Sequence, residues 1–159
     1  GAGYVGSILV RRLLQNQYKV VYIDNLRFGG SALLDIWGHP HFKFKKVDIT
    51  NYSKVDQIIN EFPNCYAIVH LAAIVGDPAC RLEPELTRKT NLDSSIHLIR
   101  KAIEKDIERF VFASTCSNYG KMKESDRYVE ETSPLAPIVS ICRTQGWGSC
   151  AHLLCQDTG

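Results

Sequence analysis

The sequence predicts an α/β fold with a doubly wound parallel sheet, and three observations support it. Apolar residues recur at helical spacing over residues 7–14, directly after a glycine-rich turn. Runs rich in β-branched and aromatic residues follow at residues 18–24, 42–48, 67–73 and 109–114. Helical segments are predicted before the first of these runs and between the later ones. Strands that alternate with helices form right-handed βαβ units and a parallel sheet.

The second predicted strand and the helix after it have separate signals. Residues 42–48 alternate apolar and polar side chains, which is typical of a strand near the edge of a sheet. Ser53 is expected to cap the following helix, and Pro63 is expected to end it. The apolar positions of this helix are Val55, Ile58, Ile59 and Phe62.

The last two predicted strands are apolar. Residues 67–73 form a nearly continuous apolar run, as expected for a strand buried on both faces, and residues 109–114 predict another buried strand. Long loops are expected at residues 27–41 and 121–137, the second lying over the crevice at the carboxyl ends of the strands. The long helix between the two strands carries its apolar stripe on Leu92, Ile96, Ile99 and Ile103.

Composition indicates a globular domain of ordinary size. The 159 residues allow one hydrophobic core, and the formal charge of +2 argues against a nucleic-acid-binding surface. No apolar stretch has the length of a membrane span, and no signal peptide is visible. The six cysteines lack C-x-x-C spacing and the five histidines form no metal-binding pattern. We therefore expect reduced thiols, a cytoplasmic location and no metal, with His70 as a core residue.

The glycines at the start of the chain carry the clearest chemical signal. Gly1, Gly3 and Gly6 have G-x-G-x-x-G spacing and precede a helix. One glycine lets the chain reverse, one lets the backbone approach a pyrophosphate, and one lets the helix pack against the sheet. The helix N-terminus adds free N–H groups and a positive dipole end. A lone motif of this kind is also compatible with an ordinary glycine-rich turn. The residues that follow the motif therefore have to distinguish the two interpretations.

Asp24 supplies that context. It ends the first predicted strand, roughly 20 residues after the glycines, where an acidic residue accepts hydrogen bonds from the hydroxyls of the adenosine ribose. A carboxylate there repels a 2′-phosphate, which favours NAD over NADP, although Arg27 lies nearby and softens this preference. The alternative interpretation of Asp24 is a turn residue at the end of a strand.

Together these stretches resemble the extended short-chain dehydrogenase/reductase family, particularly its nucleotide-sugar epimerases and dehydratases. The resemblance extends from the first residue to about Gly120 and implies a Rossmann-like domain that binds NAD. The matching stretches, in the family's order, are GAGYVGS at residues 1–7, YIDNL at 22–26, VDIT at 47–50, HLAA at 70–73, TNLDSS at 90–95 and FASTCSNYG at 112–120.

The resemblance implies a set of cofactor-binding positions. The turn residues would lie beside the pyrophosphate, Asp24 and Asn25 would hold the adenosine ribose, and Asp48 and Ile49 would frame the adenine. The last residues of the predicted strand 67–73 would line the cofactor, and Asn91 would steady the neighbouring strands. The full set is Gly1, Gly3, Tyr4, Val5, Gly6, Asp24, Asn25, Asp48, Ile49, Leu71, Ala72, Ala73 and Asn91.

The catalytic positions implied by the resemblance are incomplete. Thr115 matches the Ser/Thr that hydrogen-bonds the reacting hydroxyl of the substrate. In the family a Tyr removes the proton from a sugar hydroxyl, and a Lys four residues later lowers the pKa of that Tyr. Ile141 and Gln145 stand at these two positions. Neither can act as the base or its activator, so the chain as written is not expected to catalyse hydride transfer.

Two hypotheses explain this break in the pattern. One is a divergent, non-catalytic relative. The other, which we favour, is a one-nucleotide slip of the reading frame near residues 138–141, since codons compatible with the tail encode Tyr and Lys at the expected places when read one base later. The tail 138–159 would then be frame-shifted, and the DNA of the gene tests this directly.

Three functions remain open at this stage. The first is a fragment of an NAD-dependent nucleotide-sugar epimerase that lacks its first strand and its C-terminal substrate lobe. The parent protein is expected to form homodimers. Residues 115–117 (Thr-Cys-Ser) stand where the dehydratases carry Thr-Asp-Glu, which favours an epimerase, although a short-chain reductase shares the same first half. The second is a non-catalytic NAD-binding sensor or scaffold. The third is a mis-assembled fragment without stable function.

Overall fold

Helices and strands alternate along the chain as the sequence predicts. The computed structural model describes residues 2–114 together with residues 119, 128 and 133. The chain divides into two compact units: the first comprises Gly1–Ala72 and Arg100–Val111, and the second comprises Ala73–Ile99 and Phe112–Gly159. A single partial domain over residues 1–159 stays a prediction.

Eleven elements of secondary structure are present in the described residues. In chain order they are α1 (Tyr4–Gln15), β1 (Val20–Asp24), a 3-10 helix (Ser31–Ile36), β2 (Phe42–Lys46), α2 (Tyr52–Glu61), β3 (Ala67–His70), α3 (Asp77–Leu82), α4 (Pro84–Arg88), a π-helical turn (Lys89–Asp93), α5 (Ser94–Glu104) and β4 (Arg109–Phe112). The short helices α3 and α4 and the π-helical turn were not expected from the sequence.

The four described strands form two pairs. β1 and β2 are parallel, with Val20 opposite Phe42 and Asp24 opposite Lys46, and β3 pairs with β4. Parallel pairing places the carboxyl ends of β1 and β2 at the same edge. In a doubly wound sheet the strand that precedes the glycine turn lies between two strands, which correspond here to β1 and β3. The described strands separate into two pairs at that same place.

The core of the first unit forms between α1, the β1–β2 pair and the 3-10 helix. The Tyr22 ring packs at a tilt against Phe42 and Phe44, with ring centroids 5.8 and 6.4 Å apart. Each large apolar side chain buried here contributes about 1.5–3 kcal/mol. The buried members of this core are Val10, Leu14, Tyr22, Leu33, Ile36 and Phe42.

The segment predicted as a long loop, residues 27–41, is partly helical and is fastened to α1. Arg11 donates from Nε to Asp35 Oδ2 at 2.9 Å and from Nη2 to the Ala32 carbonyl at 2.7 Å. A second bond to the other Asp35 oxygen makes the ion pair bidentate, the strongest arrangement available to these groups. The 3-10 helix therefore has a fixed position against α1, with Leu33 and Ile36 buried beneath it.

The N-cap of α2 is a correction to the sequence analysis. The helix begins at Tyr52, and the cap is Asn51, not Ser53. The Asn51 side chain accepts a hydrogen bond from the Lys54 N–H at 3.2 Å, and asparagine is among the best capping residues. The end of the helix agrees with the prediction, since it stops at Glu61, just before Pro63.

The strands β3 and β4 are shorter and more exposed than predicted. β3 ends at His70, so residues 71–73 are not part of it, and β4 ends at Phe112. Val69 and Val111 are exposed, which contradicts the prediction of strands buried on both faces. A two-stranded pair covers less apolar surface than the central strands of a larger sheet, and among the described strands β3 and β4 pair only with each other.

The buried face of α5 also differs from the predicted stripe. Ile103 is exposed, and Leu92, Ile96 and Ile99 are only partly buried. The π-helical turn before α5 holds one residue more than an α-turn, and one residue rotates the following side chains by about 100°. The positions that are buried instead are Asn91, Ser94, Ser95, Leu98 and Ala102.

Two of the six cysteines lie in the described residues. Cys65 and Cys80 are free thiols, and the other four cysteines lie outside the described residues. The second predicted loop, residues 121–137, also lies outside them except for positions 128 and 133. In the part of the chain that the structure describes, no helix is both long and apolar enough to cross a membrane.

His70 is buried at the end of β3, as predicted for a core residue. Its ring lies 6.4 Å from that of Phe110, and burial lowers the pKa of His70 from 6.5 to about 4. The folded protein therefore holds this imidazole neutral at a pH where the unfolded chain binds a proton.

Neighbouring leucines in the 3-10 helix give a matched test of the core. Leu33 is 0% exposed and Leu34 is 72% exposed. We expect Leu33→Ala to lower the free energy of unfolding by about 2–5 kcal/mol, because it leaves a cavity, and Leu34→Ala to change it by less than about 0.5 kcal/mol. Urea unfolding followed by circular dichroism measures both, and equal effects would contradict this packing.

The buried His70 predicts a loss of stability in acid. Between pH 6.5 and pH 4 the unfolded state binds a proton that the folded state does not, so the free energy of unfolding falls as the pH falls. The loss attributable to His70 approaches about 3 kcal/mol over this window. Urea unfolding at several pH values gives the free energy of unfolding as a function of pH. Between pH 4 and pH 6.5 this free energy should change less steeply with pH for His70→Gln than for the wild type.

Candidate functional site

Gly3 begins α1 in open surroundings. It is the N-cap residue, and its carbonyl accepts a hydrogen bond from the Ser7 N–H at 3.0 Å. Its φ of −75° is available to any residue, and a Cβ atom there would meet no non-neighbouring atom within 4 Å. Neither backbone strain nor crowding within the described residues therefore requires glycine at this position. Open space beside the backbone is what close approach of a ligand needs.

The first turn of α1 combines a buried glycine with exposed apolar side chains. Gly6 is buried, as expected for a residue that lets the helix pack closely. Tyr4 and Val5 are exposed. No acidic side chain lies in this first turn, so the positive end of the helix dipole has no carboxylate partner on the helix itself.

Asp24 lies at the carboxyl end of β1 and meets the glycine turn. Its Oδ2 accepts a hydrogen bond from the Ala2 N–H at 2.5 Å, and its Oδ1 accepts one from the Leu26 N–H at 2.6 Å. Burial alone would raise the pKa of Asp24, but the charged amino group at the start of the chain and the Leu26 and Ala2 N–H groups outweigh burial and lower that pKa. The predicted pair of features, a carboxylate and a glycine turn, is therefore brought together with the carboxylate ionised.

Asn25 and Asp48 connect the ends of β1 and β2. Asn25 Nδ2 donates to Asp48 Oδ2 at 2.9 Å, and Asn25 Oδ1 accepts from the Arg27 N–H at 3.0 Å. Asp48 Oδ1 accepts from both the N–H and the hydroxyl of Thr50, at 2.9 and 2.7 Å. The residues predicted to hold the ribose and to frame the adenine thus form one network, and Ile49 lies half-buried within its last turn.

Leu26 and Thr50 are members of this region that sequence reasoning missed. Leu26 has a φ of +60°, a conformation that favours glycine. Strain at a non-glycine residue tends to accumulate at functional sites. No pattern of residue types predicts this strain, whereas Thr50, two residues after an aspartate, could have been found as an Asx-turn partner.

The segment after β3 carries the remaining predicted positions. Leu71 and Ala72, in the first unit, are half-buried. Ala73, also half-buried, belongs to the second unit. A cofactor-lining role for these three residues stays a prediction.

Asn91 holds this segment within the second unit. Its side chain is buried, donating from Nδ2 to the Ile74 carbonyl and accepting the Ile74 N–H at Oδ1, both at 2.8 Å. Gly76, two residues after Ile74, has a φ of +90°, a backbone conformation that favours glycine. Both polar ends of Asn91 hold the Ile74 backbone, and the place of Asn91 among the cofactor-binding positions stays a prediction.

Several predicted positions lie outside the described residues. Among them are Gly1 of the turn, Thr115, and the positions Ile141 and Gln145 where the family carries Tyr and Lys. The tail from residue 138 lies outside them as well. The described site is therefore the part that the resemblance assigns to the cofactor, without the part that it assigns to catalysis.

The model of one protein family matches the chain. This is the NAD dependent epimerase/dehydratase family, and the match covers residues 1–140. It ends one residue before Ile141, the position that the sequence analysis aligns with the Tyr of the family.

Curated relatives include both kinds of enzyme in the family's name. The chain is 32% identical over 151 residues to a dTDP-glucose 4,6-dehydratase of Neisseria gonorrhoeae, covering 86% of the chain and 43% of the relative. It is 32% identical over 137 residues to a UDP-glucose 4-epimerase of Lacticaseibacillus casei, covering 86% of the chain and 39% of the relative. The chain thus spans about two fifths of the length of these relatives.

Solved structures show the same architecture. The UDP-Glc/GlcNAc 4-epimerase of Campylobacter jejuni superposes with a TM-score of 0.83 at 29% identity, over 94% of the chain and 45% of the epimerase. The Thermus thermophilus UDP-glucose 4-epimerase in complex with NAD gives a TM-score of 0.83 at 26% identity, over 98% and 49%. The predicted doubly wound, Rossmann-like fold is confirmed. The chain belongs to the NAD-dependent epimerase/dehydratase family.

Proposed function

We propose that this chain binds NAD at the carboxyl ends of β1 and β2 and at the start of α1. The observation that carries the proposal is the Asp24 carboxylate, which accepts hydrogen bonds from the glycine turn and from the loop after β1. A pyrophosphate needs the turn and a ribose diol needs the carboxylate, so one ligand that contains both groups fits their juxtaposition. The family match and the NAD complex of a relative support the same ligand.

The residues present fit this cofactor. Gly3 leaves open space beside the backbone, and the first turn of α1 holds no competing carboxylate. Asp24 ends β1 beside the turn, where an acidic residue of this fold accepts hydrogen bonds from the ribose hydroxyls. The lowered pKa of Asp24 keeps it negative at neutral pH, which opposes a 2′-phosphate and favours NAD over NADP.

For the parent protein we propose a nucleotide-sugar epimerase. When bound, NAD supplies the acceptor for a hydride from the sugar carbon. Within this chain, Thr115 would hydrogen-bond the sugar hydroxyl, and the base and its activating cation would be needed at the positions of Ile141 and Gln145. The Cys and Ser that follow Thr115, where dehydratases carry Asp and Glu, favour the epimerase over the dehydratase. A homodimer and a cytoplasmic location are proposed with it.

The chain as written should bind cofactor without turning over substrate, because Ile141 has no proton to exchange and Gln145 has no charge. If the DNA encodes Tyr and Lys in a frame shifted by one base, the intact protein is an active enzyme. If Ile141 and Gln145 stand in the gene, a non-catalytic NAD-binding module is the better account. The family match ends at residue 140, as expected under either outcome.

Substitution of Asp24 tests the ribose contact. We expect Asp24→Asn to weaken NAD⁺ binding by about tenfold or more and to narrow the preference for NAD⁺ over NADP⁺, because the neutral amide accepts less strongly and no longer repels a 2′-phosphate. Isothermal titration calorimetry measures both constants. The control is Asp93→Asn, an exposed aspartate 3.9 Å from Arg88. Wild-type affinity in Asp24→Asn would contradict the assignment.

Two glycines test the pyrophosphate turn. A Cβ at either Gly3 or Gly38 meets nothing within 4 Å, so Gly3→Ala and Gly38→Ala should each change the free energy of unfolding by less than about 1 kcal/mol. Only Gly3→Ala should weaken NAD⁺ binding, because its methyl group occupies the space beside the turn. Thermal melts and calorimetric titrations separate the two effects. Equal NAD⁺ affinity in both variants would exclude close approach of the cofactor at Gly3.

A further inference from the structure

Thr50 contacts none of the predicted sugar or phosphate positions, yet it ends a chain of hydrogen bonds that reaches the loop after β1. Its hydroxyl donates to Asp48 Oδ1 at 2.7 Å, and its N–H donates to the same oxygen at 2.9 Å. Two donors of Thr50 hold Asp48 Oδ1, and of these only the hydroxyl can be removed by a side-chain substitution. The other oxygen, Oδ2, then faces Asn25.

The orientation of Asn25 follows from that of Asp48. Asn25 Nδ2 donates to Asp48 Oδ2 at 2.9 Å, and Asn25 Oδ1 accepts from the Arg27 N–H at 3.0 Å. The reversed amide would set an oxygen against a carboxylate and an NH₂ group against an N–H. Only one of the two amide orientations is therefore compatible with both neighbours.

The side chains of Asp24 and Asn25 hold the loop from residue 24 to residue 27. Asn25 Oδ1 and Asp24 Oδ1 each hold a backbone N–H two residues further on, at Arg27 and Leu26. Leu26 adopts a φ of +60°, which costs free energy unless its surroundings hold it. The hydrogen bonds of Asp24 and Asn25 supply this restraint, and the bond of Asn25 depends on Asp48.

We infer that Thr50 is a positioning residue that sets NAD affinity through Asp48 and Asn25. This inference rests on the proposed function. The hydroxyl orients the Asp48 carboxylate, the carboxylate orients the Asn25 amide, and the amide holds the loop beside the Asp24 carboxylate. Thr50 thereby acts on the adenosine end of the cofactor without contacting it.

The test compares three variants of the full chain. Thr50→Val removes the hydroxyl at nearly constant volume, and Thr50→Ser retains it. The control is Thr87→Val, because the buried Thr87 hydroxyl has no hydrogen-bond partner among the described residues. Each variant is titrated with NAD⁺ and with AMP at 25 °C after a melt has shown that it is folded. Hydrogen exchange of the Arg27 amide is measured by NMR without ligand.

We expect Thr50→Val to weaken the binding of NAD⁺ and of AMP by the same factor, about three- to tenfold, and to speed exchange at Arg27. Thr50→Ser should restore both, and Thr87→Val should change neither. A Thr50→Val chain that is folded and has wild-type exchange and wild-type affinities overturns the inference. So does an equal loss of affinity in Thr87→Val, which would indicate a general structural effect.

Binding of NAD⁺ and AMP by the wild type separates this inference from the proposed function. If the wild type binds neither NAD⁺ nor AMP, the proposed function fails, and the effect of Thr50 on affinity falls with it, whatever the exchange rates show. If the wild type binds both and Thr50→Val is unaltered in exchange and affinity, the proposed function stands and only the role of Thr50 is rejected.

Discussion

The half-buried carboxylate of Asp24 is the interaction on which the candidate site depends. It accepts hydrogen bonds from Ala2 in the glycine turn and from Leu26 in the loop after β1, two segments that are far apart in sequence. Together with the charged amino group at the start of the chain, these bonds lower the pKa of Asp24 despite its burial. Removing the charge would separate the start of α1 from the loop and leave backbone N–H groups without their acceptor.

Two further links keep this arrangement in place. The parallel register of β1 and β2 sets Asp24 opposite Lys46, so the network of Asn25, Asp48 and Thr50 forms at the same edge. The bidentate pair of Arg11 and Asp35 fastens the 3-10 helix to α1. Ion pairs at a surface contribute little to stability by themselves. This pair has a definite orientation, because its geometry is bidentate and because Arg11 also donates to the Ala32 carbonyl.

Sequence periodicity was sufficient for the fold class and for α1, β1 and β2 of the first unit. α1, β1 and β2 lie where apolar spacing predicts them, and Asp24 meets the glycine turn as the spacing of the motif implies. The errors arise where tertiary context decides. Asn51 and Ser53 are both good capping residues, and only the folded chain selects the first. The π-helical turn before α5 rotates the buried face away from Ile103, and no residue pattern encodes that insertion.

The site separates binding from catalysis. The residues assigned to the adenosine end and to the turn are largely described and form a connected network, whereas Ile141 and Gln145, to which the resemblance assigns the base and its activator, have neither a titratable proton nor a charge. Cofactor binding is therefore the central claim for this chain. The most direct measurement is a calorimetric titration of the wild-type chain with NAD⁺ and, separately, with NADP⁺. Saturable binding of one NAD⁺ per chain, with weaker NADP⁺ binding, is the predicted result; absence of NAD⁺ binding by the folded chain would contradict it.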